Sequence, residues 1–332
     1  MGRYRHLSIE EREEIMCMLR ERRPLSEIAR AIGRDKSAVS REAARNGWTV
    51  GAGGGRAYRA STAQARYERR RASCGRRPLL ADPRRRALVQ SKILLEQWSP
   101  EQVAGRIALE DPSLAVSRAT IYRAIAAREL DTPELRRTAR GMAGRLRRKG
   151  RRGKGAGERR GKIAVSHSIE ERPAEAAARS RRGDWESDTV AGRQGGPCLV
   201  TNVDRMTGML VGGRAERKGA AEVAAVMARS LAGHRLETVT PDRGSEFARH
   251  AEVTELLGVE FYFALPRHPW QRGTNENTNG LLREYFPKGC DLSRVTEPEV
   301  QAVYDKLNRR PRKRLGYRTP FEVYYDTSLH LI

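Results

Sequence analysis

The chain has 332 residues, of which 65 are Lys or Arg and 41 are Asp or Glu, so its formal net charge is +24. A positive excess of this size favours electrostatic binding to polyanions. The sequence contains no long apolar run that could cross a membrane, and no apolar signal core at its N-terminus. These features exclude a membrane-spanning protein and predict a cytoplasmic protein that meets DNA.

The length and the cysteines limit the architecture further. A chain of 332 residues has room for two or three domains. The cysteines are far apart, with no CxxC pair and no histidine at zinc-finger spacing. We therefore interpret them as reduced thiols and predict neither a disulfide framework nor a zinc site. They are Cys17, Cys74, Cys198 and Cys290.

Residues 1–50 show the pattern of a helix-turn-helix DNA-binding domain. Ser8 and Glu11 predict a capping box at the start of a first helix, and Ser26 is expected to open the second. Asp35 caps a third helix, which is interpreted as the recognition helix. Its DNA-facing side chains are predicted to be Lys36, Ser37, Ser40, Arg41 and Arg45. Periodicity alone also fits a three-helix bundle with a solvated charged face.

Residues 51–135, which begin with a glycine-rich stretch, are predicted to form a second helical DNA-binding domain. Helices are expected at 58–71, 88–97, from Ser99 onward and at 116–125. Ser99 is followed by proline and, three residues on, by glutamine, which is a strong helix-start signal. The last two helices are interpreted as a second helix-turn-helix that faces DNA through Arg118, Thr120 and Arg123. A helical dimerisation module is the alternative.

Residues 136–175 are predicted to form a basic flexible linker. Most of this segment is Arg, Lys and Gly with few large apolar residues, so it cannot bury enough surface to fold alone. A charge run of this kind is usually a solvating spacer. Because almost all of its charge has one sign, we expect it to contact DNA phosphates, in part through Arg147 and Arg148.

Two acidic residues of the segment 176–332 occupy positions suited to metal-dependent phosphoryl transfer. That chemistry uses two metal ions about 3.5–4 Å apart, which need hard oxygen ligands from separate elements. Asp188 lies in a strand-like run with Glu186 on the same face. Asp242 follows a short strand, where open α/β sheets place ligands. For an isolated acidic pair, however, a solvated edge strand is the better interpretation.

A third acidic residue, Glu276, lies in a predicted helix at 271–285. Helical periodicity places Glu276 opposite the apolar stripe, so it is not a core residue. Taken alone, it would be explained by a surface pair with Arg272 one turn earlier, worth roughly a few tenths of a kcal/mol.

The rest of this segment predicts a mixed α/β core. Strands at 185–190, 199–203 and 209–213 are expected to form an antiparallel meander. A helix at 220–231, a strand at 238–240, a helix at 246–257 and a strand at 261–263 follow. A capped helix at 296–307 precedes a basic segment, 309–314, which we expect to lie near the active site and contact DNA.

Five sequence strings closely resemble the DDE transposases of the IS30 family of bacterial insertion sequences. They are LSEIARAIGRDKSAVSRE, WESD, TPDRGSEFARH, PWQRGTNENTNGLLREYFPKG and LNRRPRKRLGYRTP. The resemblance runs through nearly the whole chain. It implies that Asp188, Asp242 and Glu276 are the catalytic triad and hold Mg²⁺, for which Mn²⁺ substitutes. It also implies an RNase H-like core of the retroviral-integrase type.

The chain departs from the family pattern at three places. Arg243 stands where asparagine is usual, Asp184 stands where histidine is usual, and the run 264–269 lacks an expected acidic residue near Leu265. None of these departures removes a member of the triad.

The resemblance implies a transposase that binds the terminal inverted repeats of its own element and cuts and joins DNA strands. Its expected partners are double-stranded DNA, as repeats and as target, and further copies of itself in a homodimer or higher homo-oligomer. Such a protein would work in the bacterial cytoplasm, associated with the nucleoid. In the core, the DNA-binding residues are expected to be Arg272, Arg283, Arg312 and Lys313. A catalytically silent repressor and a nuclease without strand transfer remain as alternatives.

Overall fold

In a computed structural model, the chain forms two compact units, Met1–Pro78 and Leu79–Ile332. The structure describes residues 5–50, 55–74, 78–146, 165–193, 195–265 and 268–332. Arg147 and Arg148 of the predicted linker lie outside these residues, as does most of the glycine-rich stretch. Among the helices described, none is long and apolar enough to cross a membrane.

The first unit consists of helices and one short hairpin. Its helices are α1 (Ile9–Arg20), α2 (Leu25–Ala31), α3 (Lys36–Asn46) and α4 (Ala60–Ser73), and its antiparallel strands are β1 (Trp48–Val50) and β2 (Gly55–Ala57). The predicted capping box of Ser8 and Glu11 opens α1, and Asp35 caps α3. α2 begins one residue before the predicted Ser26, because Pro24 holds the N-cap position in extended conformation.

The core of the first unit joins all four of its helices. Ile15, Ile28 and Val39 from the first three helices pack in one cluster with Tyr58 and Ala63. The basic helix α4 therefore packs against α1–α3, although its sequence falls in the predicted second domain.

A buried ion pair fixes α3 from its inner side. Arg12 of α1 donates from Nε to Glu42 of α3 at 2.9 Å, and both side chains are less than a tenth exposed. The Tyr58 hydroxyl also donates to Glu42, at 2.9 Å. Burial raises the pKa of Tyr58 and the neighbouring Glu42 raises it further, so the hydroxyl remains a donor. The outer face of α3 stays available for other contacts.

The second unit begins with a helical cluster. Its helices are α5 (Pro83–Leu94), α6 (Pro100–Glu110), α7 (Arg118–Ala126) and α8 (Pro133–Arg136). α6 starts at the predicted cap Ser99. The helix predicted at 88–97 is wrong in both bounds, because Asp82 caps α5 with Pro83 at its first position.

The start of the predicted linker packs onto this cluster. Leu135 and Met142 are buried in it, and Leu146 packs against it. Asp131 accepts from the Met142 amide at 2.7 Å. Met142 and Leu146 of the predicted linker thus pack with apolar partners in the cluster, which the charge composition alone did not indicate.

A mixed sheet forms the centre of the second unit. Its strands are β3 (His167–Ser168), β4 (Asp184–Ala191), β5 (Cys198–Asp204), β6 (Leu210–Ala215), β7 (Thr238–Thr240) and β8 (Glu260–Phe263). The spatial order is β3-β8-β7-β4-β5-β6. β4, β5 and β6 form the predicted antiparallel meander, while β7 runs parallel to β4 and β8 parallel to β7. β3 lies in the predicted linker and pairs with β8 in parallel.

Helices cover both faces of this sheet. They are α9 (Ala174–Ala178), α10 (Ala220–Leu231), α11 (His250–Leu257), α12 (Gly273–Leu282), α13 (Glu297–Asn308) and α14 (Pro320–Tyr325). Neighbouring residues of β5 point to opposite faces, so Val200 packs with α10 and α11 while Leu199 packs with α12 and α13. An α-helical helix-turn-helix region followed by a mixed α/β core is the predicted fold class, which is confirmed. The helix predicted at 246–257 is shorter, because a 3-10 turn occupies Ser245–Phe247.

A buried charge cluster binds α6 to α14 within the second unit. Arg106 donates through two nitrogens to the two carboxylate oxygens of Glu322, at 2.6 and 2.8 Å. Arg106 also donates to Glu110 at 2.5 Å. The side chains of Arg106 and Glu322 are 1% and 3% exposed. The helical cluster is therefore attached to the C-terminal end of the core by a bidentate pair that water does not reach.

This cluster predicts a specific dependence of stability on pH. Burial acts to raise the pKa of Glu322, but Arg106 and the Leu329 and Thr319 amides outweigh it and lower the pKa from 4.5 to about 2. Because the folded pKa is depressed, the carboxylate contributes stability that is present above 4.5 and is lost as the pH falls towards 2. We expect the unfolding temperature to fall less steeply over this range in Glu322→Gln than in the natural chain. Thermal melts followed by circular dichroism measure this. Equal slopes of unfolding temperature against pH in the two proteins would contradict the prediction.

Candidate active site around Asp188 and Asp242

The sheet places Asp188 and Asp242 side by side. β4 and β7 are parallel neighbours in which Glu186 is paired with Thr240. Each aspartate lies two residues beyond that pair in its own chain segment, so Asp188 within β4 and Asp242 just past the end of β7 are neighbours. A pair of carboxylates in this position is the ligand arrangement expected for an α/β sheet.

Hydrogen bonds orient the carboxylate of each aspartate. Asp188 accepts from the Thr189 amide at 2.8 Å through Oδ1, and from the Asn279 side chain at 2.9 Å through Oδ2. Asp242 accepts from the Gly244 amide at 2.9 Å through Oδ1. The side chains of the two aspartates are 17% and 11% exposed. They are thus held in place and still reach solvent.

A single guanidinium contacts both carboxylates. Arg272, at the N-cap of α12, lies 3.6 Å from Oδ2 of Asp188 and 3.2 Å from Oδ2 of Asp242. It also donates to the Ser187 carbonyl at 3.3 Å. Sequence alone offered Glu276 as the partner of Arg272, whereas the structure pairs it across the sheet with the two aspartates. The positive charge lies where two like charges would otherwise repel each other.

Glu276 lies on α12 one turn after Arg272, and its side chain is exposed, as predicted for a residue outside the core. In the described part of the chain, no group of three or more Asp, Glu, His or Cys side chains is placed to hold a metal ion. The structure therefore brings Asp188 and Asp242 together, and the Glu276 side chain does not join them. The reason lies in α12, which turns Thr274, Asn275 and Thr278 inward and Glu276 outward.

α12 is attached to the sheet by asparagine side chains that the sequence reasoning missed. The backbone N–H of Asn275 donates to Glu186 Oε2 at 2.8 Å, and the Asn275 side-chain amide donates to the Glu186 backbone carbonyl at 3.1 Å. Thr201 of β5 donates to Asn275 at 3.0 Å. The repeated asparagines four residues apart, at 275 and 279, were the available signal, since amides at that spacing share one helix face.

The other two acidic residues of β4 have structural partners. Glu186 is fully buried and forms an ion pair with the buried Arg205. Asp184 is fully buried too, accepting from Arg181 at 3.0 Å and from Thr238 at 2.8 Å. Of the three acidic residues that alternate along β4, Asp188 alone reaches solvent, so it is the one available to a ligand.

A further buried carboxylate, Glu246, lies beside Asp242 and was not identified from the sequence. Glu246 pairs with Lys218 at 2.8 Å and accepts from Thr189 at 3.0 Å. Burial acts to raise its pKa, but the hydrogen bond and charge of Lys218, with the Thr189 and backbone contacts, outweigh it and lower the pKa. Glu246 is therefore an anion that already has its own cation. The acidic residue two positions after Gly244 was the signal in the sequence.

Gly244 lies directly against both the Asp242 and the Glu246 carboxylates. A Cβ at this position would lie 2.8 Å from Oδ1 of Asp242 and would meet Glu246 as well. The tight turn after β7 thus needs glycine for space. The buried Nε of the neighbouring Arg243 has no hydrogen-bond partner among the described residues.

The helix-turn-helix residues predicted to face DNA lie largely on the surface. On α3, Val39 is fully buried as expected. Side chains on the outer face are exposed at Lys36, Ser37, Arg41 and Arg45 and half-buried at Ser40. On α7, Arg118 and Arg123 are exposed and Thr120 is half-buried.

The basic residues predicted to bind DNA in the core have internal contacts. Arg283 donates to the Ala191 carbonyl at 2.9 Å, and burial lowers its pKa. Arg312 donates to the Leu307 carbonyl at 3.1 Å. Lys313 is 70% exposed and pairs with Glu101 of α6 at 3.1 Å. At least part of the basic C-terminal segment therefore contacts the helical cluster.

Comparison with known proteins identifies the N-terminal domain and finds relatives of nearly the whole chain. Residues 3–46 match the family model described as a helix-turn-helix domain. The transposase for insertion sequence element IS4351 of Bacteroides fragilis is 38% identical over 320 residues, which are 96% of this chain and 95% of that protein. The transposase InsI for insertion sequence element IS30A of Escherichia coli K12 is 37% identical over 96% of this chain and 83% of that protein.

The catalytic core domain of BIV integrase is a similar solved structure, with 19% identity and a TM-score of 0.36 over 43% of this chain and 93% of that one. This likeness is too low to bear on function, and the fold is defined by the strand order given above. The two transposases, by contrast, match almost the whole length of the chain at more than a third identity. This chain therefore belongs to the IS30 family of insertion-sequence transposases.

Proposed function

We propose that this chain is the transposase of an insertion sequence, which binds the terminal inverted repeats of its element and catalyses metal-dependent DNA cleavage and strand transfer. Family membership and the helix-turn-helix domain support DNA as the partner. The observation that carries the chemistry is the convergence of Asp188, within β4, and Asp242, just past β7, on one cationic group.

We propose Asp188, Asp242 and Glu276 as catalytic residues and metal ligands. The first two fit a divalent cation, because an oxygen of each already faces the same positive charge. Glu276 would add a third oxygen from the exposed side of α12. When bound, Mg²⁺, or Mn²⁺ in its place, supplies neutralisation of the charge on the phosphodiester oxygens.

The proposed reaction consists of two in-line displacements at phosphorus. In the first, water attacks a phosphodiester at the element end and leaves a free 3′-OH. In the second, that 3′-OH attacks a phosphodiester of the target, whose own 3′ oxygen departs. Such steps depend on positioning and charge stabilisation. Here Asn279 and the Gly244 amide fix the two aspartates, while Lys218 keeps the charge of Glu246 balanced.

The DNA-binding surfaces are proposed to be divided by task. The exposed face of α3 would read bases in a major groove, and α7 would do so at a second site. Arg147 and Arg148 of the basic segment would contact phosphates. Because two element ends must be joined in one reaction, the working form is proposed to be a homodimer or higher homo-oligomer.

The recognition role of α3 predicts a loss of specificity in Arg41→Ala. Arg41 is exposed and in contact with Ser37 within its own helix. We expect the variant to bind the cognate repeat about 1–3 kcal/mol more weakly while binding random DNA almost unchanged. In contrast, replacing Arg147 and Arg148 by Gln should weaken binding to every sequence and reduce its dependence on salt.

Both variants are measured against cognate and scrambled duplexes at several salt concentrations. Equal losses on the two duplexes for Arg41→Ala would show that α3 contacts phosphates and not bases. The linker variant is the control for lost charge.

One assay separates the proposed function from its alternatives. Labelled repeat-end DNA, Mg²⁺ and a plasmid target are incubated with the full chain. A transposase yields nicked ends and joined products, a nuclease yields nicked ends alone, and a repressor yields a complex without cleavage. Joined products are the expected result.

A further inference from the structure

The strongest unexplained feature is the position of Arg272. Its guanidinium lies between the two aspartates, 3.6 Å from Asp188 and 3.2 Å from Asp242, with a side chain only 13% exposed. Guanidinium is always protonated and carries donors in a planar fork, so it can serve two carboxylates together. The two carboxylates depend on this cation to remain ionised side by side, because like charges that share a site resist ionisation.

Arg272 is not needed to attach α12 to the sheet. The backbone N–H and side chain of Asn275 both bind Glu186, and Asn279 binds Asp188, so the helix has its own contacts with two residues of β4. Glu186 in turn is neutralised by Arg205. The contacts of Arg272 are thus in addition to the docking of the helix, and they are directed to the two side chains proposed to hold metal.

A divalent cation and this guanidinium compete for the same oxygens. Mg²⁺ binds oxygen at about 2.0–2.1 Å with near-octahedral geometry. Oδ2 of each aspartate faces Arg272, while Oδ1 accepts a backbone amide; Oδ2 of Asp188 also accepts from the Asn279 side chain. A second positive charge at that distance would be repelled strongly in a partly buried site.

We infer that Arg272 is an internal cation that holds Asp188 and Asp242 together in the metal-free protein and must leave them when metal binds. This inference rests on the proposed metal-dependent function. Removal of the guanidinium charge therefore has two opposite effects: the metal-free protein becomes less stable, and its affinity for the metal rises. A residue that only braced the fold would lower stability without raising affinity.

The test is Mn²⁺ binding to the full chain without DNA, followed by the loss of the free-ion EPR signal, together with thermal melts. Arg272→Gln should bind Mn²⁺ at least about tenfold more tightly than the natural chain. Without metal, the variant should melt at a lower temperature than the natural chain. Adding Mn²⁺ should raise its melting temperature by more than it raises that of the natural chain. Arg272→Lys, which keeps the charge, should stay close to the natural affinity.

Two controls make the outcomes distinct. Arg294→Gln removes the same charge from a side chain 87% exposed, and it should change neither affinity nor melting. Asp188→Asn should remove the Mn²⁺ site. If the natural chain binds Mn²⁺ through Asp188 and Arg272→Gln binds equally or more weakly, the inference is overturned while the metal site stands. If no Asp188-dependent binding occurs in any variant, the proposed metal site fails, and the inference fails with it.

Discussion

Asp188→Asn, Asp242→Asn and Glu276→Gln are each expected to abolish cleavage of repeat-end DNA while leaving repeat binding nearly intact. Each change keeps the shape of the side chain and removes the charge proposed to hold metal. The proposed recognition surfaces lie on α3, in the other compact unit, and on α7, whose residues are separate from the site, so they should be unaffected. Cleavage is measured with labelled ends in Mg²⁺ and in Mn²⁺, and binding is measured by gel shift.

The matched control for Glu276→Gln is Glu252→Gln, which removes a half-exposed carboxylate from another helix of the core. It should cleave normally. Substantial cleavage by any of the three site variants would remove that residue from the proposed triad. The result for Glu276 is the most informative, because its side chain is exposed on α12 while the two aspartates converge on Arg272.

Glu186→Gln and Asp184→Asn should reduce cleavage less than Asp188→Asn. Their carboxylates are buried against Arg205 and Arg181, so the changes act first on stability. A ranking in which Glu186→Gln is the more damaging to cleavage in folded protein would mean that the wrong carboxylate of β4 had been chosen.

Local signals were sufficient for most of the elements. The capping boxes of α1 and α6 and the alternation of β4 predicted helix starts and a strand that the structure confirms. These features depend on residues within a few positions of each other, where helix-end chemistry and strand periodicity act. The bounds of α10 were predicted for the same reason.

Contacts between distant segments were not predictable in the same way. Arg272 is closer in sequence to Glu276 than to either aspartate, and the helix geometry alone favoured that nearby pair. The tertiary fold instead directs its side chain to Asp188 and Asp242, which are 84 and 30 residues earlier in the chain. The hydrogen bonds of Asn275 to Glu186 and the packing of α4 with α1–α3 likewise depend on which surface each helix contacts.

Arg106→Met is expected to destabilise the second unit by about 3–5 kcal/mol, the largest effect on stability that the structure predicts. The change removes both bonds to Glu322 and leaves a carboxylate buried without its cation. The remaining amide donors from Thr319 and Leu329 cannot supply a positive charge. Chemical denaturation is followed by the fluorescence of Trp98 and Trp185, which are both buried in this unit.

The double variant Arg106→Met/Glu322→Met separates the loss of the pair from the burial of a lone charge. Two apolar side chains of similar length remove the lone carboxylate at position 322 and leave only Glu110, 13% exposed, without Arg106, so the double variant should recover much of the stability lost in Arg106→Met. Arg118→Met is the surface control, because its pair with Glu101 is exposed and should contribute less than about 1 kcal/mol. If the double variant were less stable than Arg106→Met, the pair itself, and not the unpaired carboxylate, would account for the attachment of α6 to α14.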